Sequence, residues 1–114
     1  MRRLRARDLP HRINITRLTG GGAEGQSWAD PVLDRPAYVE QKTRLVVDRR
    51  STSSTAGQEV TASTFVILLA DDDVQPGSLV TVWKGSSRER QAEVIDSAFY
   101  AHPKAPGHVE VWAT

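Results

Sequence analysis

A chain of 114 residues leaves room for one compact domain with appendages and excludes two. Cysteine is absent, which excludes a disulfide framework and any thiolate-ligated zinc or iron. Only 26 residues are Leu, Ile, Val or Phe, so the core is thin, and Val, Ile and Thr total 25, a β-branched bias that favours strands over helices. The net charge of +1 conceals a split. Six arginines against Asp8 make the first 18 positions +5, and the rest of the chain is −4. A basic arm on an acidic body suits contact with nucleic acid or an acidic surface at the N-terminal side. No apolar stretch follows the arginines as a secretory signal requires, and the longest apolar run, Phe65 to Ala70, is far short of a membrane span, so no membrane partner is expected.

In chain order, residues 1–10 read as a basic arm carrying Arg2, Arg3, Arg5 and Arg7, and residues 11–114 as one β domain. His11 to Arg17, which includes Arg12, alternates apolar and polar and predicts a strand with Ile13 and Ile15 inward. Residues 19–36 hold Gly20, Gly21, Gly22 and Gly25, then Trp28, Pro31 and Pro36, and predict a long loop. Ala37 to Asp48 predicts a strand with a bulge. The small polar run 48–58 predicts a second long loop, and Glu59 to Leu69 the most buried strand, with Val60, Ala62, Thr64, Val66 and Leu68 on one face. Asp71-Asp72-Asp73 reads as a solvated turn, and Pro76-Gly77 as a type II turn. Strands are expected at Leu79–Trp83, Arg90–Tyr100 and His108–Trp112, with a proline loop over 101–107. Six strands, no repeat and few helices are best satisfied by a small antiparallel β-barrel, because closure removes exposed edges.

No motif for catalysis stands out. The aspartate run lacks the spacing of a calcium loop, His11, His102 and His108 lack the pattern of a metal site, and no serine sits in a nucleophile elbow. No glycine-rich loop opens a helix that could hold a phosphate. Neither cofactor, metal nor enzymatic activity is expected. Trp28, Trp83 and Trp112 are assigned to core or interface packing, because the strands around them carry few interleaved basic residues.

Taken in order, the basic start with His11-Arg12-Ile13-Asn14-Ile15, the glycine-rich loop before Trp28, Tyr38-Val39-Glu40, Thr64-Phe65-Val66, Val74 to Val80, Val94-Ile95 and the ending His108-Val109-Glu110-Val111 resemble the small head-closure proteins of tailed bacteriophages, also called head-tail joining or stopper proteins. The likeness spans nearly the whole chain and lies in element order and loop character. It departs at Lys84 to Gln91, which is more charged than the corresponding hairpin of the family.

The resemblance implies a structural virion protein at the head-tail neck, assembled in the bacterial host cytoplasm. It would form a homo-oligomeric ring, a hexamer in preference to a dodecamer, between the portal-adaptor and the tail-terminator or tail-tube proteins. A loop would face packaged double-stranded DNA in the channel. At the matching position here, Arg49 and Arg50 form the base and Ser51, Thr52, Ser53, Ser54, Thr55 and Gly57 a flexible tip. The arm with Arg12, the Gly20-Gly21-Gly22 loop and Trp28 would dock neighbouring proteins. A tail terminator or tail-completion protein, and a monomeric nucleic-acid-binding β-barrel, are the alternatives.

Overall fold

The structure is a computed structural model that describes residues 5–20, 27–50, 53–102 and 105–114. Among the described residues a 3-10 turn at Ala6–Asp8 precedes eight strands: β1 (His11–Thr16), β2 (Leu18–Gly20), β3 (Ser27–Trp28), β4 (Val32–Val47), β5 (Glu59–Leu69), β6 (Leu79–Val82), β7 (Arg90–His102) and β8 (Ala105–Ala113). Six of them form one antiparallel sheet in the order β1-β4-β5-β8-β7-β6. Because β6 also pairs with β1, through Asn14 to Thr81, Ile15 to Val80 and Thr16 to Leu79, each of the six has two neighbours. The strands β2 and β3 form a separate two-stranded ladder. Among the described residues no helix is long and apolar enough to cross a membrane.

Period-2 alternation fixes which side chains face inward. Ile13 and Ile15 on β1, Val66 and Leu68 on β5, and Val109 and Val111 on β8 join one fully buried cluster. The inner face expected for β5 holds, with Ala62, Thr64, Val66 and Leu68 all buried and Val60 partly so. A second, smaller cluster brings Val46, Ala62, Phe65, Ile95 and Trp112 together.

The bulge expected in β4 is present, and the strand has a second. Between Gln41 and Arg44 it spends three steps where β5 spends two, and between Val32 and Arg35 it does the same against β1. Each extra residue bends the strand and raises its twist. At the bulge opposite β1, Asp34 takes a left-handed φ of 54°, with its N–H donated to Asn14 Oδ1 at 3.2 Å. This is how a 16-residue strand pairs with β1 at one end and β5 at the other.

Three sequence expectations are corrected. The 19–36 loop contains β2, β3 and the first residues of β4, since Leu18 pairs with Trp28 and Gly20 with Ser27. Its Gly21 and Gly22 lie outside the described residues. The proline loop at 101–107 is mostly strand, because β7 runs to His102 and β8 starts at Ala105. Local breakers lost there to the hairpin ladder that pairs Tyr100 with His108 and His102 with Ala105. The aspartate run is not uniformly solvated: Asp72 is buried, and Arg35 grips it through Nε at 2.9 Å and Nη2 at 2.9 Å, with Arg17 Nη2 3.9 Å away. Within the basic arm, Leu9 is buried and Asp8 Oδ2 accepts the Arg5 N–H at 2.9 Å.

The Pro76-Gly77 turn has the expected geometry, with Gly77 at φ 94° and Ser78 N–H donating to Gln75 O at 3.1 Å. A Cβ there would stand 2.8 Å from Leu18 Cδ2 and hold a left-handed backbone. Gly77→Ala is therefore expected to cost about 1–3 kcal/mol, whereas Gly57→Ala, where nothing lies within 4 Å of the new Cβ, carries only the backbone part. Urea melts of the two variants check the difference.

Candidate nucleic-acid interface at the 48–58 loop

The loop joining β4 to β5 is built on a buried carboxylate. Asp48 is 1% exposed and its N–H donates to Gln58 O at 2.8 Å, while its carbonyl accepts from Gly57 N–H at 2.9 Å. Its Oδ1 accepts from Arg50 N–H at 3.0 Å and Arg50 Nε at 2.9 Å, and its Oδ2 from Arg50 Nη2 at 2.9 Å and Thr55 Oγ1 at 2.5 Å. Arg50 then reaches across to β7, where Nη1 donates to Glu93 Oε1 at 2.9 Å. Backbone reinforces the crossing, since Arg49 N–H donates to Ile95 O at 3.1 Å.

A carboxylate this buried is stable only if its lone pairs are filled, and here they are. The Arg50 guanidinium, with help from the Thr55 and Ser53 hydroxyls, holds the Asp48 carboxyl far below the usual carboxylate range, against burial that pushes it up. Asp48 in turn raises Arg50 above an already high value, with Glu93 adding to the effect. Both groups are locked in their charged forms.

Two adjacent arginines therefore do different jobs. Arg50 is committed to Asp48 and Glu93, so the expectation that it approaches phosphates is corrected: its charge is spent inside the protein. Arg49 is exposed and has no carboxylate partner among the described residues. At 53–57 the tip of the loop bonds to itself. Thr55 N–H donates to Ser53 Oγ at 3.2 Å, Ala56 N–H to Ser53 O at 3.2 Å, and Gly57 closes the turn at φ 83°. Ser54 stays exposed, and Ser51 and Thr52 lie outside the described residues.

Lys42 and Arg44 are functional candidates that the local sequence does not reveal. The β4–β5–β8 register sets Phe65 opposite Trp112, with ring centroids 4.5 Å apart. Lys42 Nζ lies 5.5 Å from the Phe65 centroid and Arg44 Cζ 5.0 Å from that of Trp112. These cations come from a strand remote in sequence from Trp112, so the expectation that the tryptophans lack interleaved basic residues fails on pairing, which only the register discloses.

The remaining sequence candidates are dispersed. Arg5, Arg7 and Arg12 are exposed, Arg2 and Arg3 lie outside the described residues, and Gly20 ends β2. Trp28 is partly exposed, with its indole N–H donated to Gly77 O at 3.3 Å. A cleft of about 530 Å3 is lined by His11, Arg12, Asp34, Trp83 and Lys84. His11 Nδ1 accepts the Val39 N–H at 3.0 Å and its ring meets Trp83 edge-on at 5.3 Å. Lys84 Nζ sits 2.5 Å from Asp34 Oδ1 and holds that carboxyl below the usual range, so this cleft's ammonium is already neutralised. Among the described residues no three His, Cys, Asp or Glu side chains gather as metal ligands, and the His108 ring lies 2.9 Å from Glu110 Oε2 and stacks on Tyr100.

Asp48→Asn is expected to cost about 3 kcal/mol by leaving Arg50 without its main partner. The pH dependence follows from the sign of the shift. The native carboxyl is depressed, so Asp48 contributes fully above the ordinary carboxylate value of about 4, and the contribution is lost as pH falls below it. Urea midpoints between pH 7 and pH 3 should fall for the parent chain and fall less for Asp48→Asn; parallel slopes contradict the assignment. Comparison with protein-family models, curated proteins and solved structures finds no match.

Proposed function

We propose that this chain is a structural, non-catalytic virion protein of a tailed bacteriophage: a stopper ring subunit that joins the portal-adaptor to the tail and helps retain packaged DNA. In this reading the cycle of six paired strands acts as a small β-barrel, a rigid block for a ring. The observation that carries the reading is the base of the 48–58 loop, where a buried Asp48–Arg50–Glu93 system fixes the chain and leaves Arg49 exposed beside it. Repeated around a ring, one exposed arginine per subunit makes a sequence-independent collar for phosphates. The order of elements supports the same assignment.

A second reading, a monomeric nucleic-acid-binding β-barrel, draws on Lys42 and Arg44 over the Phe65–Trp112 pair. Both rings are about nine-tenths covered, at 8% exposure each, so a base can stack on them only after the two cations move aside. That makes it the weaker of the two. A tail terminator or tail-completion protein shares the ring setting with the leading reading.

Phage particles carrying Arg49→Glu are expected to join tails normally and to lose packaged DNA at least several-fold faster than the parent, measured as DNA release on storage. Particles lacking the chain altogether that still hold their DNA and bear tails would overturn the reading. For the second reading, the isolated chain should bind a short duplex with a steep dependence on salt, and Lys42→Ala with Arg44→Ala should abolish that binding. Weak binding unaffected by those changes favours the ring subunit.

A further inference from the structure

The cleft of about 530 Å3 beside the start of β1 shares no residue with the 48–58 loop or the Phe65–Trp112 pair, and its size falls within the range of small-ligand sites. Its walls come from both neighbours of β1: Asp34 from the bulge of β4, and Trp83 and Lys84 from the turn after β6. Among the described residues Asp34, at φ 54°, and Trp83, at φ 57°, are the two non-glycine residues with left-handed backbone, and both stand in this cleft. Aspartate enters that region readily, whereas a bulky aromatic is strained there, and strain gathered at one cleft points to a binding role. A turn that needed only the backbone shape would be served by glycine. The indole is what position 83 contributes: part of it packs on the main core cluster, and the residue also forms the cleft wall, where His11 meets it edge-on at 5.3 Å.

The bonds made inside the cleft leave a definite set of groups over. His11 Nδ1 accepts the Val39 N–H at 3.0 Å, which puts the ring proton on Nε2, and that N–H has no acceptor among the described residues. Arg12 is exposed, donates Nη1 to the His11 carbonyl at 3.3 Å and pairs with no carboxylate among the described residues. Lys84 meets only Oδ1 of Asp34, whose side chain is 72% exposed, so Oδ2 remains as an acceptor. Ser86 Oγ is engaged twice, donating to Trp83 O at 2.6 Å and accepting from the Arg88 N–H at 3.1 Å. What remains is an aromatic wall, one imidazole N–H, one guanidinium and one carboxylate oxygen.

A simple anion would use the guanidinium and be repelled by the carboxylate oxygen, and an apolar molecule would use the wall and leave the polar groups covered but unpaired. A nucleoside monophosphate uses all four: its base lies against Trp83 and His11, a ring acceptor takes the His11 Nε2–H, a sugar hydroxyl donates to Asp34 Oδ2, and the phosphate meets Arg12. We propose that this cleft binds a ribonucleotide, held by Trp83, His11, Arg12 and Asp34, either as a free monophosphate or as one unit of a single strand. The site depends on neither the ring reading nor the Lys42 and Arg44 reading, and neither of those falls with it.

The probe is AMP, titrated into the isotope-labelled full chain while NMR follows the indole N–H signals of Trp28, Trp83 and Trp112, assigned through their side-chain couplings. Trp83 should shift saturably with half-effect below about 1 mM, and Trp28 and Trp112 should stay in place. Adenosine should bind about tenfold more weakly for want of the phosphate, and inorganic phosphate alone should leave Trp83 unmoved. Arg12→Ala should reduce AMP affinity to that of adenosine, and Arg49→Ala, outside the cleft, should leave it unchanged; amide spectra with the dispersion of the parent show that each variant is folded. An oligo(A) hexamer that moves Trp83 at or below the AMP concentration makes the ligand a unit of a strand, and one that fails where AMP succeeds makes it a free nucleotide; the site stands in both cases. AMP that shifts all three indoles alike, that never saturates, that binds no better than adenosine, or that binds Arg12→Ala as tightly as the parent overturns it.

Discussion

The whole arrangement hangs on β1. It is six residues long, yet it pairs with β4 on one side and β6 on the other, and without it the sheet would end in two open edges. Open edges attract further strands, and a chain with so few strong core formers has little stability to spare against that. Ile13 and Ile15 carry the apolar side of the closure, both fully buried. The bulge at Asp34 carries its backbone side, because it turns β4 far enough to meet β1 before running on to β5. Just past the far end of β4, Arg50 bridges Asp48 and Glu93, the latter near the start of β7.

That bridge sets how charge is shared out. Of the two arginines at the loop, one is consumed in holding the backbone and the other is exposed by the same geometry. Asp72 shows the same logic on the other long turn, where Arg35 and Arg17 neutralise a buried acid. Buried ion pairs of this kind add little net stability over apolar packing, but they are costly to half-remove, so they fix loop position more than they add free energy.

Much of this was legible in the sequence, for identifiable reasons. β5 was readable end to end, Glu59–Leu69, because Val60 to Thr64 alternate with a strand's period, Phe65 to Leu69 are apolar on both faces, and Gly57 and the aspartate run bracket them. The Pro76-Gly77 turn was readable from its own chemistry. The reach of β7 and β8 into the proline segment was not, because hairpin pairing outweighs local breakers and pairing is non-local. Nor was the difference between Arg49 and Arg50, neighbours of the same type, since it lies in which of them folds back onto Asp48 and reaches Glu93, 43 residues on. The cations over Phe65 and Trp112 were hidden for the same reason: a bulge in β4 and the β5–β8 register bring them together.

The most direct measurement is a density map of the head-tail neck of particles that contain this chain. The account predicts a ring between portal-adaptor and tail, with the 48–58 loop of every copy turned to the channel axis and Arg49 nearest the DNA. A map that places the chain elsewhere in the particle, or in the ring with that loop on the outer circumference, contradicts it.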